Sequence, residues 1–325
     1  MQPKPINELI FKGTHNSYNN KDGDLDCPRM AHPPEVQIDD FGVWVVELDY
    51  SVTRENGIPR ALVGHDRPGH GTSWGVYLVD FLHKIRNTMS VNLNYRPVFI
   101  ILDIKTWGEL DQEFDYNFKK QVGIEAISDV FRGRFIFLEE FKRQHGGRYP
   151  TVPEIAGMAV VCTSTDPCLP ELTIYNRCAS KEEVENGIRV GNINFIRLGQ
   201  YQNDWTFEYA VPPNPLHVDG TRQPPWRVID SVGDPCDPCP NGDVWKGQVV
   251  GEHGTFRFPY NMIGKAVTRA EGTTPNGVRD PRRSGYGWTV LIRPGFYDEK
   301  ININIPLTLK RDDRFPGSVV IGKPS

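Results

Sequence analysis

Glu47 and Asp49 stand two residues apart at the end of the apolar run Val43-Trp44-Val45-Val46-Glu47-Leu48-Asp49. On a β-strand, residues at that spacing share one face, so both carboxylates point the same way. Asp103 and Lys105 repeat the arrangement at the end of Val98-Phe99-Ile100-Ile101-Leu102. Upstream, Leu9-Ile10-Phe11-Lys12 breaks at Gly13 into Thr14-His15-Asn16-Ser17-Tyr18, and a second histidine, His65, follows Val63-Gly64. Three carboxylates and the Asn16 amide oxygen form a hard-oxygen donor set suited to calcium or magnesium. Without a cation the three acids repel one another, and one of them tends to hold a proton. Two imidazoles beside a divalent cation suit phosphoryl transfer. They can move protons at the nucleophile and the leaving group while the cation offsets charge at phosphorus.

Such a site needs several strands ending together. Strands are expected at 9–11, 43–49, 98–102, 135–138, 158–161 and 194–198, each a short apolar run. Val76, Val79, Leu82, Ile85 and Met89 recur at helical spacing, which predicts a helix over 75–89, and a second stripe predicts one within 109–130. Helices between strands imply an α/β fold with a parallel sheet. Functional residues at the ends of successive strands favour a TIM-like (β/α) barrel, irregular in places, over an open sheet. Six strands are too few for a barrel, so one or two more are sought in irregular sequence such as Pro215-Leu216-His217-Val218.

Prolines crowd 212–240, and the chain divides into a barrel over 1–235 and a small β-rich segment over 236–325. In that segment 256–270 reads as partly helical and 289–295 as strand and turn. Ile301, Ile303, Ile305, Leu307 and Leu309 alternate strictly, which predicts a strand with one buried face. Together these resemble one coil of a right-handed β-helix, a repeat that needs about three coils to bury a core alone.

The bulk composition narrows the function classes. The 325 residues carry 37 Lys and Arg against 41 Asp and Glu, a formal net charge of −4, which argues against a nucleic-acid partner. No apolar run reaches the length of a membrane span, and the N-terminus shows no apolar signal region, which leaves an intracellular or an already processed chain. Of six cysteines, Cys162, Cys168 and Cys178 lie close together and Cys236 and Cys239 form a Cys-x-x-Cys in a Pro/Asp-rich loop. Disulfides in a secreted protein account for this loop-rich distribution better than zinc does.

Gly-Thr-His-Asn-Ser-Tyr at 13–18, Val-Glu-Leu-Asp at 46–49, Gly-His at 64–65, and Pro97-Val98 followed by an apolar run to Asp103 occur in that order. Over about residues 9–105 the chain resembles the phosphatidylinositol-specific phospholipase C family, most closely its calcium-dependent bacterial branch. The resemblance implies a TIM-like barrel, His15 and His65 as catalytic histidines, and Asn16, Glu47, Asp49 and Asp103 as calcium ligands. Asp103 stands where the family commonly has Glu, one methylene longer. Lys105 suits contact with a phosphate or headgroup, and Arg197, at the end of a late strand, is a further candidate for that role. The implied reaction is attack of an inositol 2-hydroxyl on phosphorus, releasing diacylglycerol and a cyclic phosphate; base and acid stay unassigned between the histidines. The resemblance and the cysteines favour an extracellular location without fixing it, since the chain shows no signal peptide.

Blander readings stand beside these. His15 could be a strand-end histidine satisfied by backbone, Glu47 and Asp49 could be surface acids on an edge strand, and Asp103 and Lys105 could form a simple ion pair. Asp204 and Trp205 could reach the rim of the site. Trp74 and Tyr77 read first as core-packing residues, with a peripheral membrane contact as the alternative use. A rival function is glycerophosphodiester phosphodiesterase, whose first motif normally reads His-Arg where this chain has His15-Asn16. Another is a non-catalytic surface protein that binds through its C-terminal β segment.

Overall fold

The structure is a computed structural model and describes residues 2–14, 17, 34–39, 41–64, 76–91, 96–106, 114–163, 173–175, 181–190, 195–197, 210–221, 226–227, 249–250, 255, 259–273 and 277–322. In chain order the main elements of the first part are β1 (Phe11–Gly13), α1 (Pro34–Asp39), β2 (Val45–Glu55), β3 (Ile58–Val63), β4 (Val76–Tyr77), α2 (Leu78–Val91) and β5 (Val98–Ile104). They continue with α3 (Tyr116–Phe131), β6 (Phe135–Phe137), α4 (Leu138–Gln144), β7 (Ala159–Thr163), β8 (Thr173–Tyr175), α5 (Lys181–Val190) and β9 (Phe195–Arg197). The second part holds β10 (Leu216–Val218), β11 (Trp226–Arg227), β12 (Val249–Val250), α6 (Ile263–Ala270), β13 (Trp288–Ile292), β14 (Gly295–Tyr297), β15 (Leu307–Arg311) and β16 (Val319–Ile321).

The class is mixed α/β around a parallel sheet. Seven strands run parallel in the order β6-β7-β5-β2-β1-β9-β8, and the antiparallel β3 and β4 extend from β2. The first strand lies between the second and the last, the neighbour relation that a barrel requires. Sheet alternation sorts the side chains into two cores. Val46, Leu48 and Tyr50 of β2 and Ile100 and Leu102 of β5 pack with Leu82, Ile85 and Met89 of α2 and Ile127 and Val130 of α3. The opposite face packs side chain on side chain: Phe11, Val45, Phe99, Val160 and Cys162 fill it. The Phe11 and Phe99 rings meet 4.9 Å apart across the intervening β2.

The α3 helix begins at Asp115, whose carboxylate accepts from the Phe118 amide at 2.8 Å. Its Gly123 lies directly over the Tyr50 ring, whose hydroxyl donates to the Lys119 carbonyl at 3.0 Å; a Cβ at 123 would overlap that hydroxyl. Several elements differ from their sequence expectation. The helix predicted from residue 75 begins at Leu78, because Val76 and Tyr77 pair with Val63 and Leu62 of β3. β2 is longer than the apolar run suggests, since Asn56-Gly57, both at positive φ, closes a two-residue hairpin into β3.

Leu216–Val218 is a strand, but it belongs to a second sheet, β10-β13-β15, parallel throughout. That sheet therefore draws one strand from before residue 235 and two from after it. The short parallel pair β14 and β16 lies one turn of chain beyond β13 and β15, the succession of two stacked coils. The alternating stretch 301–309 forms a ladder only from Leu307, where pairing with Trp288 begins. Before it, the Asn304 amide and side chain donate to the Glu271 carboxylate at 2.8 and 3.0 Å instead of to a strand. Leu216, Val218, Ile263, Val267, Val290 and Ile292 give this unit its own core. It is tied to the first by Trp288 stacked on Trp44 at 5.2 Å, and by Ile10, whose backbone bonds both Val211 and Arg282.

Candidate functional site

β2 is a central strand between β1 and β5, so Glu47 and Asp49 are not edge-strand surface acids. Both are buried, Asp49 completely. Parallel pairing puts Asp49 directly beside Asp103 of β5. Ligand oxygens of Glu47, Asp49 and Asp103 all lie within 4.8 Å of one another. Neighbouring oxygens around a calcium ion held at 2.3–2.6 Å are separated by comparable distances, and the donors are hard carboxylate oxygens, so the residues present fit a divalent cation.

Lys105, one residue beyond β5, is positioned by its own amide, which donates to the Tyr50 carbonyl at 2.8 Å. Its ammonium lies 2.5 Å from the Asp103 carboxylate and 3.5 Å from that of Asp49. Burial pulls its pKa down, but Asp49, the hydrogen-bonded Asp103 and Glu47 together outweigh burial and raise it above the ordinary lysine value. The ion pair anticipated between Asp103 and Lys105 exists, and it extends to Asp49. The Lys105 ammonium thus contacts two of the three acids.

The turn after β1 is fixed on both sides of His15-Asn16. Thr14 and Ser17 are fully buried, and their hydroxyls are 2.7 Å apart. The Thr14 amide donates to the Val45 carbonyl and the Ser17 amide to the Glu47 carbonyl, each at 2.9 Å. The Ser17 hydroxyl accepts from the Glu47 amide at 2.8 Å. Gln37 of α1, also buried, closes the clamp: its Oε1 accepts from the Thr14 hydroxyl and its Nε2 donates to the Ser17 carbonyl, both at 2.7 Å. Thr14 is therefore anchored to the backbone of Val45, and Ser17 to that of Glu47. Gln37 carries no motif or periodic signal, and sequence reasoning missed it.

His15, Asn16 and His65 lie outside the described residues, as do Trp74, Asp204 and Trp205. The chain leading to His65 is placed at the rim, because the Gly64 amide donates to the Asp49 carbonyl at 3.0 Å. Arg197 pairs in register with Gly13, which in turn pairs with Val45, so its backbone stands on the far side of β1 from the carboxylates. The structure therefore brings Glu47, Asp49, Asp103 and Lys105 together, with the clamped turn beside them. Tyr77 is 37% exposed at the end of β4, where its hydroxyl donates to Glu55. Cys162, on the inner face of β7, is disulfide-bonded.

No protein-family model matches the chain, and no curated protein matches it. Solved structures do. One is the calcium-dependent phosphoinositol-specific phospholipase C from Pseudomonas sp., at 14% identity over 64% of this chain and 71% of that one, with a TM-score of 0.37. A mutant of the phosphatidylinositol-specific phospholipase C from Staphylococcus aureus matches at 14% identity over 50% and 49%, with a TM-score of 0.38. The Ca²⁺-dependent enzyme from Streptomyces antibioticus matches at 12% identity over 88% and 81%, with a TM-score of 0.34. The likeness is distant and at the level of the fold.

Proposed function

We propose that the chain is a divalent-cation-dependent phosphodiesterase that cleaves a phospholipid of the phosphatidylinositol type. The observation that carries this reading is the juxtaposition of Glu47, Asp49 and Asp103 on two adjacent central strands, next to a turn clamped to the Glu47 backbone. In this reading Asn16 adds a neutral oxygen to the three carboxylates, and calcium is the ion held, with magnesium as the alternative. A bound cation would polarise a phosphoryl oxygen and offset charge developing at phosphorus. His15 and His65 exchange the protons: one takes the proton of the attacking inositol 2-hydroxyl, and the other protonates the departing diacylglycerol oxygen. Lys105 and Arg197 contribute positive charge toward the phosphate or headgroup. The surplus of acid over base around Lys105 is what a catalytic cation site would require.

An extracellular, oxidising setting is supported by the disulfide at Cys162. Peripheral contact with a lipid surface belongs to the same proposal.

The test is a substrate panel of phosphatidylinositol, phosphatidylcholine and glycerophosphodiesters, run with calcium and with a chelator. Cleavage of phosphatidylinositol that disappears with chelator and with His15→Ala is the expected result. Turnover of glycerophosphodiesters alone would instead establish the rival phosphodiesterase. Activity that ignores the chelator would end the metal assignment, and no cleavage of any substrate would leave a binding protein.

A further inference from the structure

We infer that Lys105 is a built-in placeholder for the divalent cation: its ammonium closes the carboxylate trio when the ion is absent, and it must swing out when the ion enters. The inference rests on the cation-dependent reading above and concerns how that site is loaded. Its basis is the position of the ammonium, which lies 2.5 Å from Asp103 and 3.5 Å from Asp49. These are two of the three groups whose oxygens gather within 4.8 Å. A calcium ion bound by those same oxygens would leave the ammonium and the ion within a few ångströms of each other. Two like charges at that separation repel strongly in a partly buried setting. The carboxylates can therefore serve one cation or the other.

The side chain is built for such an exchange. Asp49 beneath it is 1% exposed, whereas the Lys105 and Asp103 side chains are 25% and 21% exposed, so the lock lies on the solvent side of the fixed acid. Its backbone is anchored through the bond from its amide to Tyr50, and its carbonyl accepts from the Lys119 ammonium at 3.3 Å. Only the flexible four-carbon stem has to move. Displaced, the ammonium remains tethered at the rim, where it can meet a phosphate as the cation arrives. One residue thus offsets part of the charge of three crowded acids before the cation enters and supplies positive charge to the substrate afterwards.

Occupancy of the closed state weakens the apparent cation affinity by the fraction of molecules that are open. If the lock is closed in nine molecules of ten or more, removing it tightens binding by about 10-fold or more. The test is calorimetric titration of calcium into the wild-type protein, Lys105→Met and Lys105→Arg, with near-UV circular dichroism confirming the fold. Lys105→Met is expected to bind calcium at least ~10-fold more tightly than wild type, with Lys105→Arg close to wild type. A measurement on the wild type needs no variant: acylation of Lys105, followed by mass spectrometry, should be faster with calcium than with chelator.

Equal or weaker calcium binding by Lys105→Met, or acylation indifferent to calcium, overturns the placeholder while leaving the cation site standing. Absence of calcium binding in all three proteins overturns the cation site, and the placeholder falls with it.

Discussion

Two partly buried clusters of charge in this protein are composed differently. Where the second sheet meets the first, each acid has an arginine. Arg96 pairs with Asp39 at 3.9 Å, Arg314 with Asp312 at 2.8 Å, and Arg293 with Asp219. The formal charges of those six groups cancel, and His217, fully buried among them, is held neutral. Its pKa is pushed down to about 3, by burial first and then by Arg314, against the opposing pull of Asp312. At the ends of β2 and β5, by contrast, three carboxylates surround one ammonium, and their formal charges leave two negatives over. The first arrangement holds a junction together. The second is unbalanced, and selection for stability alone gives no reason to keep it, because like charges gathered out of water destabilise.

The difference can be broken by changing one acid in each place. Asp219→Asn removes the carboxylate of the Arg293–Asp219 ion pair, in which the arginine side chain is only 14% exposed. Denaturant titration should show a loss of about 3–5 kcal/mol, the usual consequence of removing one partner of a buried pair. Asp49→Asn should behave in the opposite sense. It relieves repulsion, so unfolding should be little affected, while phosphodiester cleavage should fall by about 100-fold or more, read as kcat/KM. Comparable destabilisation by both variants would erase the distinction between the two clusters.

His217 tests the junction through pH. Its folded pKa lies below the ordinary 6.5, so the unfolded chain binds the extra proton first. The contribution to stability is present above about pH 6.5 and is lost progressively as pH falls toward about 3. Between pH 7 and pH 5 the wild type should lose about 2 kcal/mol from this group, a loss that His217→Gln should not show when the two are unfolded in parallel. The facing charges Arg314, Asp312, Arg293 and Arg96 are the same in both proteins, so their titration cancels in the difference. The smallest effect is expected at the clamp. Gln37→Ala should cost about 1 kcal/mol of stability by removing its two hydrogen bonds, with a clear fall in kcat as the turn carrying His15 and Asn16 loosens.

The candidate site was legible in sequence where chemistry interrupts a strand. Glu47, Asp49, Asp103 and Lys105 each replace an expected apolar residue at a position where the period of two fixes the facing side. Parallel pairing of β2 with β5 then makes their grouping a consequence of strand order. The rest was hidden for definite reasons. Gln37 acts through bonds to residues 20 and 23 positions away, and no local pattern encodes that. Arg314 and His217 are 97 residues apart. The hairpin at Asn56-Gly57 was readable from its turn chemistry, but the polar strand leading into it, Ser51 to Glu55, masked the signal. The alternation of 301–309 was real as a pattern and misleading as a strand, because a ladder needs a partner, and β13 supplies one only from Leu307.

The stack of Trp288 on Trp44 has a consequence for synthesis. Phe11, Trp44 and Phe99 leave the ribosome well before Trp288, since the ring that covers Trp44 is encoded almost two hundred residues after Phe99. The nascent chain therefore carries an uncovered aromatic floor until Trp288 has been added, the kind of surface that chaperones bind.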